Sequence, residues 1–529
     1  MSSCQRVIPK VLRAFRSLLL LIIGSLLVAS VPAIDAASPI GTPIEPLPPD
    51  VKIETVVPTA IQLVAMDFTP DGRLLYTERT GKVRIVVDGQ LLATPVYPFL
   101  VDTQGERGLL GIAVDPNFSV NRLVWVYLTR PLGGNPPHYE NRVVQFVLED
   151  NNQATTTVRT QGFPVDPYAT IHNGGNLHFG PDGKLYVTVG NNNDTNDAAD
   201  PAQKLASPLG KIHRFEPTVP LSIPGDNPFG NNSIYAYGLR NSFDFAFDPI
   251  SGELFATENG PSCDDEINRI VRGGNYGWRP FYPCDDAAPT GPDPAYNTLP
   301  PLIFWTPSLA PTGLTFYTGD LMPEWKNDLF ICSYKDATTA LHHVKLNASR
   351  TAIVSHTILS DTLNHQPVTC RTDLLTGPDG ALYYSEAGGW ESGPIKRLTR
   401  PTSFVFSSVS ANPVAVHSDD VLTYTLDVRH TGTLSNTFTL TATLSPSTTL
   451  EAASSGLTFD SDHVYWSGTL SRTQSITATY TVRMSDLITT PYFITSPIKI
   501  TAPRATPVQL NSVVIVNGYS IFLPIMPHD

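Results

Sequence analysis

A turn phrase that recurs along the chain restricts the folds open to it. It reads Phe68-Thr-Pro-Asp-Gly-Arg-Leu-Leu-Tyr, then Phe179-Gly-Pro-Asp-Gly-Lys-Leu-Tyr-Val, then Thr376-Gly-Pro-Asp-Gly-Ala-Leu-Tyr-Tyr. Looser copies are Val114-Asp-Pro-Asn-Phe leading to Leu123-Val-Trp-Val-Tyr, Phe247-Asp-Pro-Ile-Ser-Gly-Glu-Leu-Phe, and Phe316-Tyr-Thr-Gly-Asp ahead of Asp328-Leu-Phe-Ile. Proline presets one backbone angle and Asp-Gly turns the chain, so each copy joins two strands. The copies are about 45–70 residues apart, which predicts radial repetition of small antiparallel sheets. Six blades over residues 50–400 is the economical architecture, with an array of sandwiches as the alternative.

Beyond residue 400 the pattern changes. Leu422, Tyr424, Leu426 and Val428 alternate with Thr423, Thr425, Asp427 and Arg429, and Ile476, Ala478, Tyr480 and Val482 repeat the rhythm. Period two with one buried face predicts a sandwich of antiparallel sheets, immunoglobulin-like, over residues 401–502. This stretch is rich in Ser and Thr and offers no group suited to chemistry. Residues 503–529 form a tail that reads either as a last strand or as a surface-sorting segment. The whole is an all-β chain: a six-bladed β-propeller followed by a C-terminal β-sandwich.

The N-terminus reads as an address. Arg6, Lys10, Arg13 and Arg16 precede an apolar run from Ser17 to Val31 and small residues at Ala33, Ala36 and Ala37. That is the layout of a secretory signal over 1–36, too short for a spanning helix, with a linker at 37–49. No second such run follows, so the mature chain is expected to be secreted, periplasmic or at the cell surface, without a transmembrane anchor. Export makes the cysteines legible. Cys4 leaves with the signal, and Cys263, Cys284, Cys332 and Cys370 remain. Four cysteines allow three pairings; we take 263–284 and 332–370, because each closes a local loop. Lys and Arg total 35 against 48 acids, a net charge of −13. Without a basic field, nucleic acid is excluded as a partner.

Several clusters in the repeat region could carry chemistry. His172-Asn-Gly-Gly-Asn sets an imidazole beside two glycines, a proton acceptor or an ordinary loop histidine. Tyr237-Gly-Leu-Arg240-Asn241 sets a cation and an amide before a strand, where Arg can clamp a carboxylate or form a rim salt bridge. Glu258-Asn-Gly260-Pro261-Ser-Cys-Asp264-Asp265-Glu266 gathers carboxylate and carbonyl oxygens of the kind a hard cation takes, or is an acidic turn. Trp305-Thr-Pro-Ser-Leu-Ala-Pro-Thr-Gly, Ser333-Tyr-Lys335 and Cys370-Arg371-Thr372 could supply an aromatic wall and cations. The acidic loop from Asn191 to Asp197 reads as solvated.

In this order, and together with Gly108-Leu-Leu-Gly-Ile-Ala-Val-Asp-Pro-Asn-Phe, these phrases closely resemble the soluble quinoprotein glucose/sorbosone (aldose sugar) dehydrogenases. The resemblance covers about residues 50–400 and implies a propeller that holds pyrroloquinoline quinone and calcium (Ca2+) at one mouth. It implies that His172 is the general base toward the anomeric hydroxyl of a sugar substrate, with an external electron acceptor downstream. By the same resemblance Arg240 is catalytic and, with Asn241, Lys335, Arg371 and Glu106, binds the cofactor. Gly260 and Pro261 would bind calcium through their carbonyls, supported by Asp265.

Three departures stand out. Asn191 occupies the position where glucose-oxidising members orient the base with Asp. A single, out-of-register Arg371 stands for an Arg-x-Arg pair. Cys332 and Cys370 lie on the two segments expected to embrace the cofactor's carboxylates. Weakened or altered cofactor affinity is the expectation, and a non-catalytic carbohydrate- or protein-binding propeller is the rival reading.

Overall fold

The structure, a computed structural model, describes residues 42–165, 168–192, 200–278, 298–335, 339–404, 407–432, 435–471, 474–485, 490–503 and 507–517. The expected signal segment and Cys284 lie outside the described residues. The fold is nearly all β. Among the described residues of 52–399 there are six antiparallel sheets, laid down in chain order.

Each sheet begins with an innermost strand that runs into one of the six turn phrases. The three full copies close identically. Gly72 N donates to Thr69 O at 2.9 Å, Gly183 N to Gly180 O at 2.9 Å and Gly380 N to Gly377 O at 2.8 Å. Each of these three glycines has a positive φ (91°, 72° and 81°), a conformation that side chains with a Cβ resist. The looser copies turn by other means. A short helix, Phe118–Asn121, fills one and a 3-10 turn, Pro323–Trp325, another.

Apolar clusters between neighbouring sheets show how they are arranged. Leu75, Val83 and Ile85 of the first sheet pack on Ile112, Val124 and Val126 of the second. Trp125 and Tyr127 of the second meet Leu177, Leu185 and Val187 of the third. Tyr186 and Ile212 pack against Phe245 and Leu254, and Phe255 and Ile267 against Phe316 and Leu329. A last cluster joins Tyr317 and Phe330 to Leu382 and Tyr384, and these to Leu63 and Tyr76 of the first sheet. The sheets therefore follow one another around a closed circuit. The chain locks it: strand Lys52–Ala60, from the beginning of the fold, pairs with Gly393–Thr399 at its end. Residues Ile44–Pro46, in the expected linker, add a parallel strand to the fifth sheet.

After residue 407 two further sheets face each other. One is ordered Ser408–Asn412, Val421–Arg429, Ser475–Met484, Thr448–Ala453; the other holds six strands. The alternating residues fill their common core, Leu422, Leu426 and Val482 against Leu440, Ile498 and Val514. The segment beyond 502 contributes the strand Val508–Val516, paired with Tyr492–Thr501.

Candidate active site

The turn phrases all lie at the far ends of the innermost strands, so the starts of those strands gather at the opposite end. There they enclose a cavity of about 320 Å³. Every sheet of the ring contributes to it: Val64, Leu110, His172 to Gly174, Arg240 and Asn241, Ala310 and Thr312, and Thr372. Glu106, Gly260, Pro261 and Asp265 also line it. A larger hollow of about 690 Å³ opens among the turns, but its wall holds no His, Arg or Lys.

His172 is fixed from all sides. Its φ is +53°, an uncommon conformation for a residue with a Cβ. Its N–H donates to Glu106 Oε2 at 2.6 Å, and its carbonyl accepts from Asn192 Nδ2 at 2.8 Å. The ring Nδ1 lies 2.8 Å from Asn191 Oδ1. Asn191 Nδ2 in turn donates to Asp200 Oδ2 at 2.8 Å, and that oxygen also accepts from Trp278 Nε1 at 3.0 Å. A carboxylate only accepts, so Asp200 fixes which end of the amide faces His172. The imidazole must then donate from Nδ1, which makes Nε2 the basic nitrogen.

Arg240 and Asn241 follow from a single buried carboxylate. Glu258 Oε1 accepts from their backbone N–H groups at 2.8 and 2.6 Å. The Arg240 guanidinium then reaches the carbonyls of Asn259 and Gly260, both at 2.9 Å, and its Cζ lies 5.4 Å from the Trp278 ring. Asn241 Oδ1 accepts from Gly174 N at 3.2 Å, tying this loop to the histidine loop. Asp265 spends both oxygens on backbone: Gly260 N at 2.8 Å, Leu309 N at 2.7 Å and Ala310 N at 2.6 Å. Burial raises its pKa to about 6 against the pull of those donors. It holds the Gly260–Pro261 turn rather than offering a bare carboxylate.

Lys335 and Arg371 are not in the wall. Lys335 Nζ reaches Ser308, a wall residue, at 3.4 Å. Arg371 stands behind Tyr334, its Cζ 5.8 Å from that ring. Cys332 and Cys370 are bridged and fully buried, so the segments carrying Lys335 and Arg371 are joined. Cys263 is also disulfide-bonded. Two wall residues, Arg79 and Trp390, come from separate sheets and lie in no phrase that marks them, whereas Tyr334 belongs to the Ser333-Tyr-Lys335 cluster expected to supply an aromatic wall. Asp200 is equally silent in sequence; only its role as cap of the turn Pro201–Gln203 marks it.

Comparison with known proteins places this geometry. The family model described as glucose/sorbosone dehydrogenase matches residues 61–393. The chain belongs to that family. It is 31% identical over 350 residues to aldose sugar dehydrogenase YliI of Escherichia coli, covering 64% of this chain and 90% of that one. It is 34% identical over 241 residues to quinoprotein glucose dehydrogenase B of Acinetobacter calcoaceticus, covering 40% and 49%. A solved structure of the soluble aldose sugar dehydrogenase of E. coli, in the apo form, superimposes with a TM-score of 0.55 at 28% identity, covering 66% of this chain and 99% of that one.

The donors suit a flat anionic quinone with a hard cation beside it. The cavity offers a guanidinium, an amide and an imidazole at a size usual for a small-molecule site. Next to it lies a recess of about 20 Å³, lined by Glu258, Gly260, Pro261, Asp264 and Glu266. That is room for about one water or ion. Among the described residues Glu258 Oε2 is buried there with no hydrogen-bond partner, and burial lifts the pKa of Glu258 and of Glu266 to about 8. Arg240 offsets part of that rise at Glu258, while neighbouring carboxylates add to it at Glu266, so a cation in the recess would be welcome to both. Among the described residues no three His, Cys, Asp or Glu side chains form a metal cage, so a cation would rest largely on carbonyl oxygens.

Proposed function

We propose that this protein is an exported dehydrogenase that oxidises aldose sugars at the anomeric carbon to lactones, using pyrroloquinoline quinone and calcium. In this reading the six sheets are the blades of a propeller, and residues 408–516 form an immunoglobulin-like sandwich. One observation carries it: His172, oriented through Asn191 by Asp200, shares a cavity with Arg240, Asn241 and the Gly260–Pro261 carbonyls. When bound, the quinone would supply the hydride acceptor and calcium a Lewis acid.

The chain's own groups do the rest. His172 Nε2 takes the proton of the anomeric hydroxyl, and the proton already on Nδ1 stays on the bond to Asn191. An amide accepts that bond without neutralising the imidazolium, so the nearby charge of Asp200 does so from one step further back. Arg240 would stabilise negative charge on a bound cofactor. Gly260 and Pro261 would hold the cation by their carbonyls, with Glu258 behind them. Lys335 and Arg371 would meet the cofactor's carboxylates from the rim. A separate electron acceptor is required to complete the cycle.

Reconstitution of the purified protein with quinone and calcium tests this reading. Aldoses should bleach the bound quinone and drive dye reduction. His172→Ala should bind the quinone yet lose about 10²–10⁴-fold in rate, the usual worth of a general base. Quinone that does not bind, or a His172→Ala protein of full activity, would favour a non-catalytic sugar- or protein-binding propeller.

A further inference from the structure

Arg371 stands outside the cavity wall, beside an internal carboxylate. Its Nη1 lies 3.2 Å from Glu391 Oε2, an ion-pair contact without hydrogen-bond geometry, and the Tyr334 hydroxyl donates to the same oxygen at 3.4 Å. Tyr334 lines the cavity, and so does Trp390, whose ring meets that of Tyr334 edge-on at 5.7 Å. Glu391 follows Trp390 directly. The backbones of Gly388 and Glu391 bond to each other in both directions at 3.1 Å. Gly389 O accepts from Arg79 Nε at 2.5 Å, and Arg79 is itself pinned by the carbonyls of Thr103, Gly105 and Arg107. The turn that carries Glu391 is therefore rigid, and Arg371 packs beside it against the Tyr334 ring.

The energetics favour exchange. The Glu391 side chain is half exposed, at 50%, against 23% for Arg371, so solvent on the Glu391 side screens the pair and weakens it. Another carboxylate of better geometry can take the guanidinium over.

We propose that Glu391 is an internal competitor for the anionic end of the cofactor. In the free protein it holds Arg371 against Tyr334, and a cofactor carboxylate must displace it before Arg371 can bind. This rests on the quinone reading above. It explains why the one arginine left of the expected pair stands outside the wall, and it gives the site a built-in weakening of affinity. Glu391 remains negative once displaced, close to an anionic ligand, which adds repulsion to the lost pair.

The test is an equilibrium titration of apo-protein with pyrroloquinoline quinone in calcium buffer, read by the absorbance and fluorescence of the quinone without any sugar. Glu391→Gln keeps the shape and the Tyr334 hydrogen bond but removes the charge. It should lower the Kd about 3–10-fold, and Arg371→Gln should raise it. If Glu391 acts by holding Arg371, the gain from Glu391→Gln disappears in the Arg371→Gln background. A Glu391→Gln protein that binds no tighter than wild type overturns the proposal, as does a gain that persists in the double variant. Failure of all four proteins to bind quinone overturns the quinone reading itself, and this proposal with it. Binding by Glu391→Gln alone would support both. Because Glu391 is half exposed, the variants should keep the wild-type melting temperature, which checks that each is folded.

Discussion

Asn191 bridges His172 and Asp200: its Oδ1 lies 2.8 Å from the imidazole Nδ1, and its Nδ2 donates to the carboxylate at 2.8 Å. A negative charge thus serves the histidine at second hand. The arrangement predicts that Asn191→Asp, although it creates the direct pair, is harmful here. The new carboxylate would sit within hydrogen-bond distance of Asp200 in a buried site, and two such groups cannot both ionise. We expect Asn191→Asp to lower stability by about 1–3 kcal/mol. The exchange Asn191→Asp with Asp200→Asn keeps one charge and one amide, so it should regain that stability with a kcat at least equal to wild type. Melting curves and steady-state rates for the four proteins of this double-mutant cycle give the coupling directly.

Lys211 supports the same chain from behind. Fully buried, it donates to the carbonyls of Pro201, Ala202 and Leu209 at 3.0, 2.8 and 2.6 Å, and so shapes the segment that begins at Asp200. Burial pushes its pKa down to about 7, against the pull of Asp200. A lysine whose folded pKa lies below its unfolded value binds fewer protons in the folded state. Stability should therefore rise with pH from about 7 toward 10.5, by on the order of 1 kcal/mol per unit in mid-range. Lys211→Met should remove that slope. Denaturant melts of both proteins between pH 7 and 9 measure the difference.

The bridge between Cys332 and Cys370 closes a loop of 38 residues and precedes Arg371 by one residue. Replacing both cysteines by serine should cost about 2–4 kcal/mol of stability, the usual range for such a cross-link. It should also free the Tyr334 and Arg371 segments from each other and so weaken quinone binding. A titration at a temperature where the variant is fully folded separates the two effects. Unchanged affinity there would mean that the bridge serves stability alone.

What could be read from the chain divides along physical lines. The three full turns were legible because each needs a positive φ at one glycine, which Pro-Asp-Gly supplies, and the looser copies because an apolar strand still follows each of them at the same spacing. The second domain was legible because one-sided burial writes itself as alternation, as in Leu422 to Val428. His172 and the Arg240–Asn241 pair were visible because their loops carry the glycines and acids that hold them. Asp200 and Glu391 were not, because their effect comes from distance in space. Asp200 acts through Asn191 across a loop, and Glu391 reaches Arg371 from 20 positions further along the chain. A sequence lists the charges but not which of them have already found partners. For that reason the sequence did not show that Arg371 stands beside Glu391 or that Lys335 and Arg371 both lie outside the cavity wall.

Asp244 gives the sharpest test of how the ring is closed. It is buried at the start of the fourth sheet, and its two oxygens serve both neighbours. Oδ1 accepts from His178 Nε2 at 2.9 Å and from Asn176 Nδ2, both in the third sheet. Oδ2 accepts from Leu314 N at 2.9 Å, in the fifth. One carboxylate therefore staples three sheets at their inner edges. Asp244→Ala would strand a buried N–H, an amide and an imidazole together, and losses of about 3–5 kcal/mol follow when a buried charged partner is removed. Asp244→Asn keeps an acceptor for only part of the set and should fall between. Asp244 is three residues from Asn241 but is not in the cavity wall, so the Asn variant should keep quinone affinity within about threefold of wild type while melting at a lower temperature. Affinity and melting temperature that fell in step would instead mean that the inner edges of the ring and the cavity yield as one unit.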